Sequence, residues 1–192
     1  LPTATFTLKT SVCINALDTV TYTGSAAPTA TCNWSFGGAT VVSGSGKGPY
    51  VVNWSTIGTK SITLSVTDTN ACFSGISSKN VTVYPIPTPT FVTYPVIAVK
   101  DTNIVEYQGS ASPTANYVWN FDGATIHSGT GPGPIKIKWS VGGIKTISLV
   151  VTENGCSSSS SKTVIVNDSN IKPTAYIYSD KRTVTVGSSI WF

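Results

Sequence analysis

The sequence predicts an all-β chain made of two antiparallel sandwiches in tandem, and three observations carry that prediction. The run Trp34-Ser35-Phe36-Gly37-Gly38-Ala39-Thr40 returns as Trp119-Asn120-Phe121-Asp122-Gly123-Ala124-Thr125, at an offset of 85 residues. Short stretches alternate apolar and small polar residues at the period of two, as in Ile62, Leu64 and Val66 within Lys60 to Thr67. Gly, Pro and Asn clusters close these stretches every 8 to 12 residues or so, with no helical periodicity between them.

The repeat register holds from the start of each copy almost to its end. Pro2-Thr3 and Phe6 match Pro87-Thr88 and Phe91, and Tyr22-Thr23-Gly24-Ser25-Ala26 matches Tyr107-Gln108-Gly109-Ser110-Ala111. Gly44, Gly46, Gly48, Pro49, Trp54, Gly58 and Lys60 match Gly129, Gly131, Gly133, Pro134, Trp139, Gly143 and Lys145, and the offset slips to 84 only at Cys72 and Cys156. A third copy opens with Pro173-Thr174-Ala175 and stops at Phe192. The expected organisation is therefore one sandwich over 1–85, a second over 86–169, and the opening of a third over 170–192. Strands are expected at Val20 to Tyr22, Cys32 to Phe36, Tyr50 to Trp54, Lys60 to Thr67 and Val81 to Val83, about seven per copy.

Composition narrows the function classes. The apolar fraction is 40% and only 10% of residues are charged, so Thr, Ser and Gly carry most of the polarity. The net charge of +4 is spread over both copies without a basic stripe interleaved with aromatics, which argues against a nucleic-acid partner. No stretch approaches the roughly 20 apolar residues of a membrane helix, so any membrane attachment is expected to lie outside this sequence. The sequence lacks Met and begins in phase with its repeat, as a piece of a longer array would.

Catalytic constellations are not apparent. The single histidine, His127, has Ser128 beside it but no acid placed to orient it, and it occupies the position that Val42 fills in the first copy. No His and Cys stand at zinc spacing, and the glycines of Gly44 to Gly48 and Gly129 to Gly133 read as turn and bulge positions. The expectation is no enzyme and no cofactor. A weak calcium site is the competing reading, with Asp18 and Asp101 near one strand start and Asp68 and Glu153 before the cysteine turn. Trp34, Trp54, Trp119 and Trp139 recur in both copies and are expected in the cores, whereas Tyr84 and Tyr94 flank the junction and are the candidate surface contacts for a ligand. The junction Tyr84-Pro85-Ile86-Pro87-Thr88-Pro89 is proline-rich and extended in tendency, as a stiff coupling would be.

The segments Trp34 to Gly38 and Gly58 to Asp68, with Trp119 to Gly123 and Gly143 to Glu153, resemble the polycystic kidney disease (PKD) domain, whose pattern runs W-x-F-G-D-G and later G-x-Y-x-V-x-L-x-V-x-D. The shortened turn, the glycine-rich middle segments, Val12-Cys13 and Asn70-Ala71-Cys72 are similar to the divergent PKD-like repeats of secreted and surface proteins of Bacteroidetes-type bacteria. The resemblance implies tandem immunoglobulin-like, PKD-type sandwiches in an extracellular, secreted or cell-surface setting. It implies a non-catalytic stalk or spacer with a part in adhesion, a gliding-type adhesin being the specific form, joined to other domains of one long chain. The alternative is an accessory module that holds a polysaccharide for a secreted hydrolase. It further implies a disulfide between Cys13 and Cys72, which leaves Cys32 and Cys156 unpaired. Cys32 shares strand parity with Trp34 and reads as an apolar, buried thiol, while Cys156 near its turn reads as an exposed thiol or the half of an intermolecular bridge.

Overall fold

The computed structural model describes residues 1–168, so the expected third copy over 170–192 lies outside the described residues. Each repeat has eight strands rather than about seven: β1 (Phe6–Thr7), β2 (Ser11–Cys13), β3 (Asp18–Tyr22), β4 (Thr31–Ser35), β5 (Thr40–Ser43), β6 (Tyr50–Asn53), β7 (Gly58–Thr67) and β8 (Phe73–Tyr84) in the first. The second has β9 (Phe91–Val92), β10 (Val96–Ala98), β11 (Asn103–Tyr107), β12 (Asn116–Asn120), β13 (Thr125–Ser128), β14 (Ile135–Lys138), β15 (Gly143–Glu153) and β16 (Cys156–Asn167). The extra strand arises because the first strand of each repeat bends and changes sheets.

In the first repeat the sheets run β1-β3-β6-β5 and β2-β8-β7-β4, and in the second β9-β11-β14-β13 and β10-β16-β15-β12. This is the immunoglobulin-like order, with the split first strand adding antiparallel to one sheet and parallel to the other. Sequence alternation decides which side faces inward. Along β7 the side chains of Ile62, Leu64 and Val66 are buried while those between them are not, and Ile147, Leu149 and Val151 repeat this on β15.

Two separate cores result. The first gathers Phe6, Val20, Val52, Trp54, Ile62, Leu64, Val66, Val81 and Val83. The second gathers Phe91, Val105, Ile135, Ile137, Trp139, Ile147, Leu149, Val151, Val164 and Val166. Trp54 and Trp139 are each 1% exposed, and their indole N–H groups donate to the carbonyls of Phe36 at 3.0 Å and Phe121 at 2.9 Å. Trp34 and Trp119 sit half-buried on the edge strands β4 and β12. Each stacks on the Phe two residues later and donates to the glycine loop, Trp34 to the Gly46 carbonyl and Trp119 to that of Gly131. A β-bulge between Val41 and Ser43, matched between Ile126 and Ser128, precedes that loop in both repeats.

The recurring Tyr-x-Gly-Ser-Ala motif has a structural origin. Tyr22 donates its hydroxyl to the Thr3 carbonyl at 2.8 Å and accepts the Ala26 amide at 2.9 Å, and Tyr107 does the same with Thr88 and Ala111 at 2.7 and 2.9 Å. The strand-leading segment is thereby laced to the following loop. Glycine is required between tyrosine and serine because a Cβ on Gly109 would stand 1.8 Å from the Thr88 carbonyl oxygen.

Candidate functional site: the cysteine-strapped junction

The junction is where the structure departs most from expectation. Cys13 is bonded to Cys156, with a Cα–Cα distance of 5.6 Å and a sequence separation of 143. The expected Cys13–Cys72 bond is therefore corrected, as is the expectation of an unpaired, exposed Cys156, which is 1% exposed. Strand geometry gives the reason. Cys13 pairs with Tyr84, the last residue of β8, whereas Cys72 immediately precedes Phe73, its first. Twelve residues of strand at about 3.3 Å each put the two cysteines roughly 40 Å apart, and a disulfide tolerates about 7 Å between Cα atoms. Cys72 and Cys32 are free thiols.

Cys156 reaches Cys13 because it opens β16 at the end of the second repeat where the linker arrives. Ser158 donates its hydroxyl to the Pro87 carbonyl and Ser160 to that of Pro89, which pins the incoming chain against β16. On the other side, Ile14 donates its amide to the Tyr84 carbonyl at 2.8 Å. The disulfide thus runs beside the short Tyr84 to Pro87 connection as a second covalent crossing. Around it lies a hollow of about 230 Å³, with Lys9, Ser11 and Ala16 from the first repeat and Asn154 and Gly155 from the second.

Cys32 lies half-buried on β4 against the first core, where repeat two places Tyr117. Burial pushes its thiol pKa up, and Lys47 pulls it back in part. Of the two candidate ligand contacts, Tyr94 is 53% exposed and Tyr84 is half-buried at the end of β8. Among the described residues no three His, Cys, Asp or Glu side chains gather into a metal-binding group. Asp68 spends one carboxylate oxygen on the amides of Asn70 and Cys72 at 2.9 and 2.8 Å. Glu153 accepts the Ser112 amide at 3.1 Å, and hydrogen bonding from Ser112 holds its carboxyl below the usual range. His127 is exposed on β13 beside an open depression with Lys100, Lys138 and Trp139, and no carboxylate lines it.

Sequence reasoning missed two features. Asp18, buried on β3, is matched in register by Asn103 on β11 rather than by Asp101. Asp18 accepts the Lys9 amide at 3.2 Å, and Asn103 accepts the amide of Tyr94, the counterpart of Lys9, at 3.0 Å. Both residues fasten the bend at which the first strand changes sheets. The second feature is a cross-strand row, Val96, Ile165 and Ile144, that is 52, 48 and 73% exposed. Ser11, Thr82 and Thr59 occupy that row in the first repeat. The exact offset could have found the first feature, and the second needed the strand register.

No protein-family model matches the chain, and no curated protein does. Solved structures similar to it are strings of β-sandwich modules. An I-band fragment of titin is 15% identical, with a TM-score of 0.45, over 87% of this chain and 66% of its own length. The fibronectin(III)-like modules of Clostridium thermocellum CbhA are 14% identical, with a TM-score of 0.43, over 91% of this chain and 100% of theirs. The D00-D0 domain of Intimin is 12% identical, with a TM-score of 0.41, over 85% and 100%. At these scores the fold assignment rests on the chain's own sheet order: this is a tandem pair of immunoglobulin-like β-sandwiches.

Proposed function

We propose that this chain is a PKD-like segment of a bacterial secreted or surface protein, non-catalytic and used as a stalk that carries adhesive or other domains. The observation that supports this best is the Cys13–Cys156 bond, which doubles the covalent connection between two separate cores. A disulfide belongs to an oxidising compartment, which favours an extracellular location. A second crossing beside a proline-rich linker restricts hinge motion, a property that a spacer uses and a freely jointed tether does not. We place the module boundary at Tyr84 to Pro87, giving 1–85 and 86–169 as modules and 170–192 as the start of a third. The apolar row Val96, Ile165 and Ile144 is the surface we assign to packing against a further domain of the same chain.

Small-angle scattering of the oxidised protein tests the stalk. An elongated envelope, unchanged by moderate shifts in salt, is expected, and a compact side-by-side envelope would refute it. The second reading is a polysaccharide-holding module, favoured by the exposed ring of Tyr94. A glycan array decides between them: specific binding lost in Tyr94→Ala supports the second, and silence supports the stalk.

A further inference from the structure

Cys72 and Cys156 are the only cysteines that correspond between the repeats, both lying at the β-hairpin turn that joins the two longest strands. In the second repeat that cysteine is bonded to the first-strand end of the sandwich ahead of it, at Cys13. In the first repeat it is a free, half-buried thiol. We propose that Cys72 is the receiving half of a second strap of the same design, and that its partner is a cysteine placed like Cys13 on another immunoglobulin-like sandwich stacked at the Leu1 end of the first repeat.

The local structure prepares this bond. Asp68 binds the amides of both Asn70 and Cys72, and the Asp68 amide donates to the Cys72 carbonyl at 3.0 Å, so the turn that carries the thiol is closed from both sides. Ala71, immediately before Cys72, takes a positive φ of 60°, as Gly155 does at 80° immediately before Cys156. Cys156 sits at the end of its repeat where Pro87 enters, and Pro2 is the counterpart of Pro87, so Cys72 marks the end at which a preceding sandwich would stack. Direction also follows. Ala98 stands where the second repeat would need its own donor cysteine, so the series of straps runs toward the Leu1 end and stops after the second repeat. This inference stands on the equivalence of the two turns alone and holds for a stalk or a glycan-binding module alike.

Closing the bond requires an oxidant, for which a small-molecule disulfide such as oxidised glutathione serves. The Cys72 thiolate attacks one sulfur, forming a mixed disulfide and releasing one glutathione thiolate, which takes up a proton. The partner thiolate then displaces the second glutathione. Two protein thiols are oxidised to one disulfide and one glutathione disulfide is reduced to two thiols.

The test adds a second copy of residues 1–85 directly ahead of Leu1, in the register that already joins the two repeats, and equilibrates the chain in a glutathione redox buffer. Mass spectrometry of unreduced peptides is expected to show the added copy's Cys13 bonded to the original Cys72, with loss of alkylation at that thiol alone. An original Cys72 that still alkylates fully, beside an intact Cys13–Cys156 bond, overturns the proposal. A second measurement needs no added module. In the unaltered chain, oxidised glutathione should load Cys72 and spare Cys32, and failure of Cys72 to form the mixed disulfide overturns the proposal equally.

Discussion

Asn103 clasps the backbone of Tyr94 at both its ends: its Oδ1 accepts the Tyr94 amide at 3.0 Å and its Nδ2 donates to the Tyr94 carbonyl at 3.1 Å. Oδ1 also accepts the Thr93 hydroxyl at 2.9 Å, and Asn103 is fully buried. Removing the side chain in Asn103→Ala strands these groups at the bend between β9 and β10. The expected loss is about 2 to 3 kcal/mol from the second repeat, read from urea unfolding. Asp18→Asn in the first repeat imports the sister residue and should change stability by less than about 1 kcal/mol.

Gly109→Ala sets a methyl group against the Thr88 carbonyl and within 2.3 Å of the Tyr107 hydroxyl. Neither neighbour can yield without breaking the lacing of the strand-leading segment. A destabilisation above about 2 kcal/mol is expected. Tyr107→Phe, which removes both hydrogen bonds but adds no bulk, should cost about 1 to 2 kcal/mol, and the order of the two variants in denaturant midpoints checks the steric account.

The double variant Cys13→Ser, Cys156→Ser removes the second crossing while leaving both cores intact. Chain-entropy reasoning puts the stabilisation from a loop closed over a separation of 143 residues at about 5 kcal/mol. Calorimetry should show a lower first transition, and the wild type should reproduce it in the presence of a strong reductant.

The two free thiols should differ in rate. Burial raises the pKa of Cys32 and so depletes its thiolate. Iodoacetamide at neutral pH is expected to modify Cys72 first, and equal rates on peptide mapping would contradict the burial of Cys32 against the first core.

Glu153 supplies a pH dependence with a definite sign. Its folded pKa is depressed by Ser112, so its contribution is complete above the ordinary glutamate pKa and is lost as pH falls through the lowered value. Ser112→Ala leaves only the backbone amide as donor, and an NMR titration should show the Glu153 midpoint move up.

The two cores were legible because their signal is local. Alternation at Ile62, Leu64 and Val66 and its copy at Ile147, Leu149 and Val151 follows from the pleat itself, and exact repetition left little room for another fold. The split first strand was not legible, since β1 spans two residues and β2 three, too few to show a period. The disulfide was missed for a different reason. Its partners are far apart in sequence and the pairing depends on which end of a sandwich each turn occupies, a property of topology rather than of spacing. β7 and β8 form one long hairpin whose turn, with Cys72, lies at the end away from Cys13. The role of Asp18 was obscured by grouping residues by charge, because the register matches it to an amide, and the shared task is accepting a backbone N–H.

A molecule pulled at Leu1 and Asn167 would not load its two sandwiches in sequence. Tension entering through β1 and β2 reaches Cys13, passes through sulfur to Cys156 and leaves along β16. Residues 14–155 lie off that line, so neither core can be drawn out from within while the bond is closed. In single-molecule stretching the oxidised chain should yield length only before Cys13 and after Cys156, and reduction should release the remainder as two further rips. The cysteine pair works as a mechanical shunt: it sets how much of the chain tension can draw out, confining it to the strands before Cys13 and after Cys156.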